Sequence, residues 1–567
     1  ECYNRGVGDE EKAYIHVGNA AELTGADRRL YRFFEILPGF FSWGTLLGMV
    51  LLSWQKPVWA AVFIIVFDLY WLIKTVFLSF HLRGNHHRLK EYMATDWEEK
   101  LQSLVTSRAL HTSEGQCGQL GSAPAENQNR AIHNSGNTGM CKDRFDSGSI
   151  YQLVILPLFK EHEAVAEETL DALVESRWPK ERMLVILGRE ERAGGEAAEI
   201  TTRLEKKYGG KFGGFLVTAH PMQVPGELPG KGSNIAYAAE EAVRKLVDPR
   251  SIPYTDVLVS AFDIDTHVYP DYFLCLTYHF LTAEYPHRSS FQPVPVYNNN
   301  IWDAPALSRV VATSSTFWQM MQQERAERLT TFSSHSLSLQ SLVEVGYWQN
   351  NIVSEDSRIF WNHLLHYDGD YRVVPLSYPV SLDANFGNNL WQTILQVYKQ
   401  QRRWTWGVEN VPYILFGFVK NKHMPFRTKL YYVATQLEGF WSLATNPLLI
   451  FMLGWLPLAL GGAEFNDMLL SYNLPRMTRT LMVLAMSGLI GSAIISLSLL
   501  PPRPLHYGWR RNVGMVLQWV LIPFTIIFFG ALPGLEAQTR LALGGRWRLG
   551  FWVTPKHRVR DVNSKFT

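Results

Sequence analysis

Apolar runs long enough to span a bilayer occur only toward the two ends of this chain, with a long polar middle between them. Residues 37–54 and 58–80 each approach the roughly 20 residues a helix needs to cross a membrane. Gln55-Lys56-Pro57 separates them, so the pair reads as a helical hairpin. Asp68 and Lys74 inside the second run are costly in lipid and are expected to face protein or the interface. Arg28, Arg29 and Arg32 precede the pair, and Arg83, Arg88 and Lys90 follow it. Positive flanks stay in the cytoplasm, so both sides of the hairpin belong there. No small-residue cleavage site follows the first run, so a cleaved signal peptide is not expected.

Apolar runs return at 430–460, 481–500 and 513–532. Lys420, Lys422, Arg427 and Lys429 lie before the first, and Arg503, Arg510 and Arg511 lie between the second and third. The intervening stretch 461–472 carries Glu464 and Asp467. By charge, 461–472 is outside and 503–511 inside. The mean hydropathy of −0.07 averages this segregation away. A chain of 567 residues exceeds one compact domain. A formal charge of +2 gives no case for a nucleic-acid partner. Cys2, Cys117, Cys141 and Cys275 have neither metal-ligand nor disulfide-framework spacing.

The middle begins with residues 103–149, rich in Ser, Gly, Asn and Gln, which read as a disordered insertion in a linker over 81–150. From Tyr151 the pattern changes. Residues 153–158 and 183–187 are short β-prone runs with helical spacing over 165–175 between them, a βαβ opening that predicts a largely parallel sheet. Residues 257–261 form another buried strand, and Asp263 follows at its carboxyl end, where open α/β sheets place ligand groups. The expected layout is therefore a cytosolic segment over 1–36, the hairpin over 37–80, the linker, an α/β domain over 151–405, an interfacial segment over 406–429, a membrane region over 430–534, and a tail over 535–567.

Four motifs in the polar middle carry candidate chemistry. Asp263 and Asp265 bracket Ile264. Two carboxylates alternating across a strand end can hold Mg²⁺ or Mn²⁺ against a diphosphate, because hard cations prefer oxygen ligands. Lys231-Gly232-Ser233-Asn234 joins a cation to a glycine that lets backbone approach phosphate; its spacing is not that of a triphosphate P-loop. Glu355 and Asp356 are adjacent and, on a helix start, point roughly 100° apart, so one can face a reacting hydroxyl while a neighbour holds the other. Gln400, Arg403 and Trp404 share one face of an amphipathic helix beginning at Leu390. Arg403 suits a diphosphate and Trp404 offers a flat face for a sugar ring. Taken singly, these motifs read equally as an acidic turn, a glycine turn, a helix cap and an interfacial anchor.

In this order and approximate spacing, the set resembles family 2 glycosyltransferases of the membrane-embedded, cellulose-synthase-like kind. Leu156-Pro157-Leu158-Phe159-Lys160-Glu161 looks like that family's first strand and loop, and Phe551-Trp552-Val553-Thr554-Pro555-Lys556 like its gating loop. The resemblance covers 151–556 and the preceding hairpin. It implies a GT-A-type α/β domain joined to transmembrane helices. The implied activity is an inverting transfer of sugar from a nucleotide-sugar donor, with UDP as the leading nucleotide, to a growing β-linked polysaccharide. It implies that Lys231, Asn234, Asp263, Arg403, Thr554 and Lys556 bind nucleotide, and that Asp265 with Asp263 holds Mg²⁺ or Mn²⁺. Asp356 would be the general base, and Glu355, Gln400 and Trp404 would contact the acceptor.

Two features depart from the family pattern. Where it has an aspartate for the nucleobase, this chain has Glu190-Glu191, either of which can substitute. Three apolar runs separate Trp404 from Phe551, yet one cytoplasmic site needs an even number of crossings, so one run is re-entrant, interfacial or doubled. The alternatives to a polysaccharide synthase are a non-processive enzyme with a lipid-linked acceptor and a non-catalytic membrane transporter or scaffold. Accessory subunits cannot be read from the sequence.

Overall fold

The computed structural model describes residues 12–113, 149–451, 453–505 and 507–554. Lys556 and most of the 103–149 segment lie outside the described residues. The linker boundary moves, because residues 103–113 finish a helix, Trp97–Ser113. Trp97 and Leu101, one turn apart, are buried in the core of the α/β domain, and Leu104 packs against it.

The domain is built on one eight-stranded sheet. In chain order the strands are β1 (Tyr151–Leu158), β2 (Met183–Glu190), β3 (Gly214–His220), β4 (Val257–Ala261), β5 (His267–Val268), β6 (Ser289–Tyr297), β7 (Ser336–Ser338) and β8 (Arg372–Leu382). Their spatial order is β3-β2-β1-β4-β7-β6-β8-β5. β1 to β4 are parallel, as read from the sequence. The expectation of a largely parallel sheet fails beyond β4. Three-residue β7 runs antiparallel to both β4 and β6, β6 and β8 are parallel, and β5 is antiparallel to β8. The reason is visible in the chain: β7 is Ser-Leu-Ser, too short and polar to announce a strand.

Alternation along β1 and β2 sets the two faces. Val154, Leu156, Leu158, Val185 and Leu187 point to one core with the helices Glu163–Glu175 and Gly195–Tyr208. Leu153, Ile155, Leu184 and Ile186 point to the other, against Ile235, Ala238 and Ala242 of the helix Lys231–Ala242. With both faces covered, the carboxyl edge of the parallel strands is the natural opening.

Among the described residues, three helices are long and apolar enough to cross a membrane: Gly25–Gln55, Pro57–Ala94 and Trp509–Leu543. The first two form the expected hairpin, with Lys56 between them. Asp68 is buried and Lys74 pairs with Glu438 at 2.9 Å, so both face protein. The helices Phe426–Phe451 and Leu469–Ser498 pack on this hairpin, through Trp441 to Thr45 and Ser498 to His86.

Trp509–Leu543 behaves differently, because it touches the α/β domain along its length. Arg511 donates to the Trp302 carbonyl, and Arg309 Nε donates to Gln518 Oε1 at 2.6 Å. Trp519 stacks on Phe317 with centroids 5.4 Å apart. Thr405 Oγ1 donates to the Pro533 carbonyl at 3.2 Å, and Tyr398 and Arg402 both bond Glu536.

Candidate active site

β4 ends at Ala261, and the chain then turns through Asp263 and Asp265. The pair is not on an extended strand end: Thr266 N donates to the Asp263 carbonyl at 3.0 Å and closes a turn. Lys231 is not in a loop either; it is the first residue of the helix Lys231–Ala242. Glu355 and Asp356 open the helix Glu355–His366, as expected.

The fold brings three of the motifs to one point. Lys231 Nζ lies 2.8 Å from Asp263 Oδ1 and 2.8 Å from Asp356 Oδ2. Lys231 is 7% exposed, whereas the Asp263 and Asp356 side chains keep 32% and 22% exposure. Burial alone would lower the Lys231 pKa; the two aspartates beside it overcome that and raise it. Lys231 is therefore a fixed cation between two carboxylates that still reach solvent.

Each acid has a second anchor. Asp263 Oδ2 accepts from Ser333 Oγ at 2.6 Å. Asp265 is fully buried, and its Oδ2 accepts from Asp383 N at 3.0 Å. Among the described residues, no group of three or more His, Cys, Asp or Glu side chains is arranged to hold a metal. The donor chemistry of Asp263 and Asp265 nevertheless fits Mg²⁺ or Mn²⁺, since Mg²⁺ commonly takes only one or two protein carboxylates and completes its shell with water and substrate phosphate.

Adjacent Glu355 and Asp356 meet opposite surroundings. Glu355 is 2% exposed and presses on Gly232, where an added Cβ would lie 3.1 Å from Glu355 Cβ and from the Gln349 carbonyl. Gly232 thus lets the two helix starts close on each other. Glu355 Oε2 has no hydrogen-bond partner within the protein. Burial, and then the Asp356 charge, push Glu355 up to about 8. Asp356, with 22% of its side chain exposed, is the acid facing the opening.

Two residues that sequence reasoning missed complete this cluster. His335 is fully buried 3.9 Å from Asp356 Oδ1. Its Nδ1 lies 2.7 Å from the Phe332 carbonyl, and Trp348 Nε1 donates to its Nε2 at 3.2 Å. A carbonyl can only accept, so Nδ1 carries the proton and Nε2 accepts. Burial lowers its pKa. Glu409, 2% exposed, clamps the start of the Glu355 helix. Its Oε1 accepts from Val353 N, Ser354 N and Ser354 Oγ at 3.1, 2.9 and 2.7 Å, and its Oε2 from Trp406 Nε1 at 2.9 Å. Neither belongs to a spaced motif; the only trace is a lone acid within the apolar Trp406-Gly407-Val408-Glu409 stretch.

The fourth motif also arrives. In the helix Leu390–Thr405, Gln400 is buried and the Trp404 ring lies 5.6 Å from that of Tyr297. Burial, with Asp263 and Asp265 nearby, raises the Tyr297 pKa. The Arg403 guanidinium lies 5.3 Å from the Phe551 ring. Phe551 in turn covers Gly230, where an added Cβ would be 2.6 Å from the ring. The tail motif therefore reaches the residue before Lys231. Thr554 is buried.

Two candidates lie apart. Asn234 turns into the sheet, donating Nδ2 to the Gly188 carbonyl at 2.8 Å. Glu190 ends β2, buried and held by Arg192, which lies 4.4 Å over the Phe159 ring.

No family model matches the chain, and no curated protein matches it. Among solved structures, it is similar to the mannosyltransferase PcManGT from Pyrobaculum calidifontis in complex with GDP-Man and Mn²⁺. The identity is 11%, covering 76% of this chain and 99% of that one, with a TM-score of 0.38. For S. aureus TarS 1-349 the identity is 13%, the coverages are 70% and 93%, and the TM-score is 0.31. For GalNAc-T7 with UDP, GalNAc and Mn²⁺ the identity is 11%, the coverages are 53% and 59%, and the TM-score is 0.32. Values this low fix no residue role. The expected fold class, a GT-A-type α/β domain joined to membrane-length helices, stands on the topology: a parallel β3-β2-β1-β4 half with the acidic cluster at its carboxyl edge, and a mixed half beside it.

Proposed function

We propose that this chain is a membrane-bound inverting glycosyltransferase of the family 2, cellulose-synthase-like type. It transfers a sugar from a nucleotide-diphosphate donor to a growing polysaccharide. The observation that carries this reading is the convergence of Lys231, Asp263 and Asp356 within 3.0 Å at a sheet edge, with Phe551 against Gly230, next to Lys231, and the Arg403 guanidinium 5.3 Å from the Phe551 ring.

Lys231 and Arg403 supply positive charge for the donor diphosphate. Asp263 and Asp265 would hold Mg²⁺ or Mn²⁺, which when bound offsets the charge growing on the leaving nucleotide. Asp356 accepts the acceptor hydroxyl proton as the new bond forms. One partly exposed carboxylate beside a buried acid suits single displacement, in which a base is needed and an enzymic nucleophile is not. His335 and Glu409 fix the Asp356 helix. Phe551 excludes water from the donor side, with Thr554 and Lys556 taken to act on the nucleotide and Glu190 on its base.

For the topology, the contacts of Trp509–Leu543 with the α/β domain, from Arg511 to Glu536, support a run that lies along the membrane face although it is long and apolar enough to cross. Phe426–Phe451 and Leu469–Ser498 would then be the crossing pair, with Trp404 and Phe551 on the cytoplasmic side. The test is to reconstitute the full chain in membranes with a panel of nucleotide sugars and Mg²⁺ or Mn²⁺, and to measure nucleotide release and product size. The reading requires one donor to be consumed and a polymer to appear, with both lost on chelation. Consumption of no donor overturns it, and a single-sugar lipid product replaces polysaccharide with lipid-linked acceptor.

A further inference from the structure

Two arginines meet where the helix Leu469–Ser498 gives way to Trp509–Leu543. Arg309, 4% exposed, donates Nε to Gln518 Oε1 at 2.6 Å and Nη1 to the Ala304 carbonyl. Arg511 Nη2 donates to the Trp302 carbonyl and lies 3.4 Å from that same Ala304 carbonyl. Two guanidinium groups therefore crowd one oxygen, and the acceptors they share among the described residues are all neutral. Asp303, the acid of this corner, accepts from Tyr507 OH at 2.7 Å instead. Arg511 Nε is buried with no hydrogen-bond partner within the protein. Burial, and then the Arg511 charge, lower the Arg309 pKa to about 10, which still leaves Arg309 charged at neutral pH. Like charges held out of water are costly unless an anion joins them.

The setting indicates which anion. The segment after Ser498 is tied to the α/β domain: Asn298 Nδ2 donates to the Leu499 carbonyl at 3.1 Å, and Trp302 Nε1 to the Pro501 carbonyl at 3.1 Å. Past these ties Arg503 and Arg510 are exposed, Leu505 is fully exposed and Trp509 is 67% exposed. A free phosphate needs only the arginines. An exposed leucine and tryptophan beside them suit the boundary between headgroups and acyl chains. Guanidinium forks match phosphate oxygens, and basic pockets on the cytoplasmic side of membrane helices attract anionic headgroups.

We propose that Arg309 and Arg511 form a site for the headgroup phosphate of an anionic phospholipid in the cytoplasmic leaflet. This rests on the placing of Trp509–Leu543 along the membrane face, and it is independent of which sugar the chain transfers. The phosphate fastens the start of Trp509–Leu543 to the helix Ala306–Gln323, which carries Arg309. Anionic lipid thereby stabilises the docked arrangement.

The experiment titrates the full chain, in a neutral detergent, with phosphatidylglycerol, phosphatidylcholine or inorganic phosphate, and reads the unfolding temperature. Phosphatidylglycerol should reach its midpoint at a concentration about tenfold or more below that of phosphatidylcholine. Arg511→Gln should shrink this preference to within about twofold, whereas Arg510→Ala, on the exposed neighbour, should leave it in place. Arg309→Gln should act as Arg511→Gln does, which covers the case in which one of the two fails to fold. Equal response to both lipids overturns the site, as does a preference that Arg510→Ala removes as fully as Arg511→Gln. Stabilisation by inorganic phosphate equal to that by phosphatidylglycerol overturns the lipid as occupant. The membrane placement is read separately from Leu505→Cys, with the native cysteines replaced by alanine, in sealed oriented vesicles. Labelling only from the extracytoplasmic side overturns that placement, whatever the lipid titration gives.

Discussion

The Lys231 cluster and the recess lined by Tyr297, Asn385 and Trp404 are built on opposite principles. In the cluster, charge meets charge: Lys231 bonds Asp263 and Asp356, Ser333 bonds Asp263, and Glu409 ties down the helix start. In the recess, the Asn385 side-chain amide and Gln401 Nε2 have no hydrogen-bond partner within the protein. A charged donor is best met by a site already assembled in charge and geometry, because moving ionised groups in a dry site is costly. A neutral sugar is best met by polar groups kept waiting, since an unmade hydrogen bond is what discriminates between hydroxyls.

The largest effect should come from Asp356→Asn. If Asp356 is the base, transfer falls about 10²- to 10⁴-fold while nucleotide-sugar binding persists. Turnover within a few-fold of the unaltered protein would leave the cluster a charge store and no more. Lys231→Met should follow. It leaves two carboxylates facing each other, so donor affinity drops and stability falls by roughly 3 kcal/mol, the low end for breaking a buried pair because the acids are partly exposed. Thermal unfolding and nucleotide titration read these separately, and a stable variant with normal affinity would show the bridge to be incidental.

Glu409→Gln removes the charge from four hydrogen bonds at the helix start. Stability should fall by about 1–3 kcal/mol, and turnover with it, without a change in nucleotide affinity. A fall in affinity alone would put Glu409 on the donor and not on the helix. The smallest effect concerns pH. The Glu355 pKa is raised in the folded chain, so the folded state keeps a proton that the unfolded state releases. Its contribution is therefore fully present below about pH 4.5 and is lost as pH rises to about 8. Glu355→Gln should flatten that slope in the pH dependence of unfolding. An unchanged slope would mean that Glu355 is ionised and the cluster is not charge-matched as described.

Much of the first half of the sheet was legible. Val257–Ala261 is the strand read from its apolar run, and β1 and β2 extend the expected runs by a few residues, because buried parallel strands must be apolar on both faces. The helix starting at Leu390 and the helix start at Glu355 were equally plain from spacing and capping. The second half was not, since Ser-Leu-Ser of β7 carries no periodic signal. The sequence determined by itself which residue types the site has, and in what order, because acids, lysine and arginine in a polar middle have few bland uses in combination. Only the tertiary structure decided their surroundings. It made Asp356 open and Glu355 buried although they are neighbours, sent Asn234 into the sheet, set His335 beside Asp356 and laid Trp509–Leu543 along the domain. Burial and partner choice are long-range properties, fixed by which surfaces meet after the chain closes, and no local spacing encodes them.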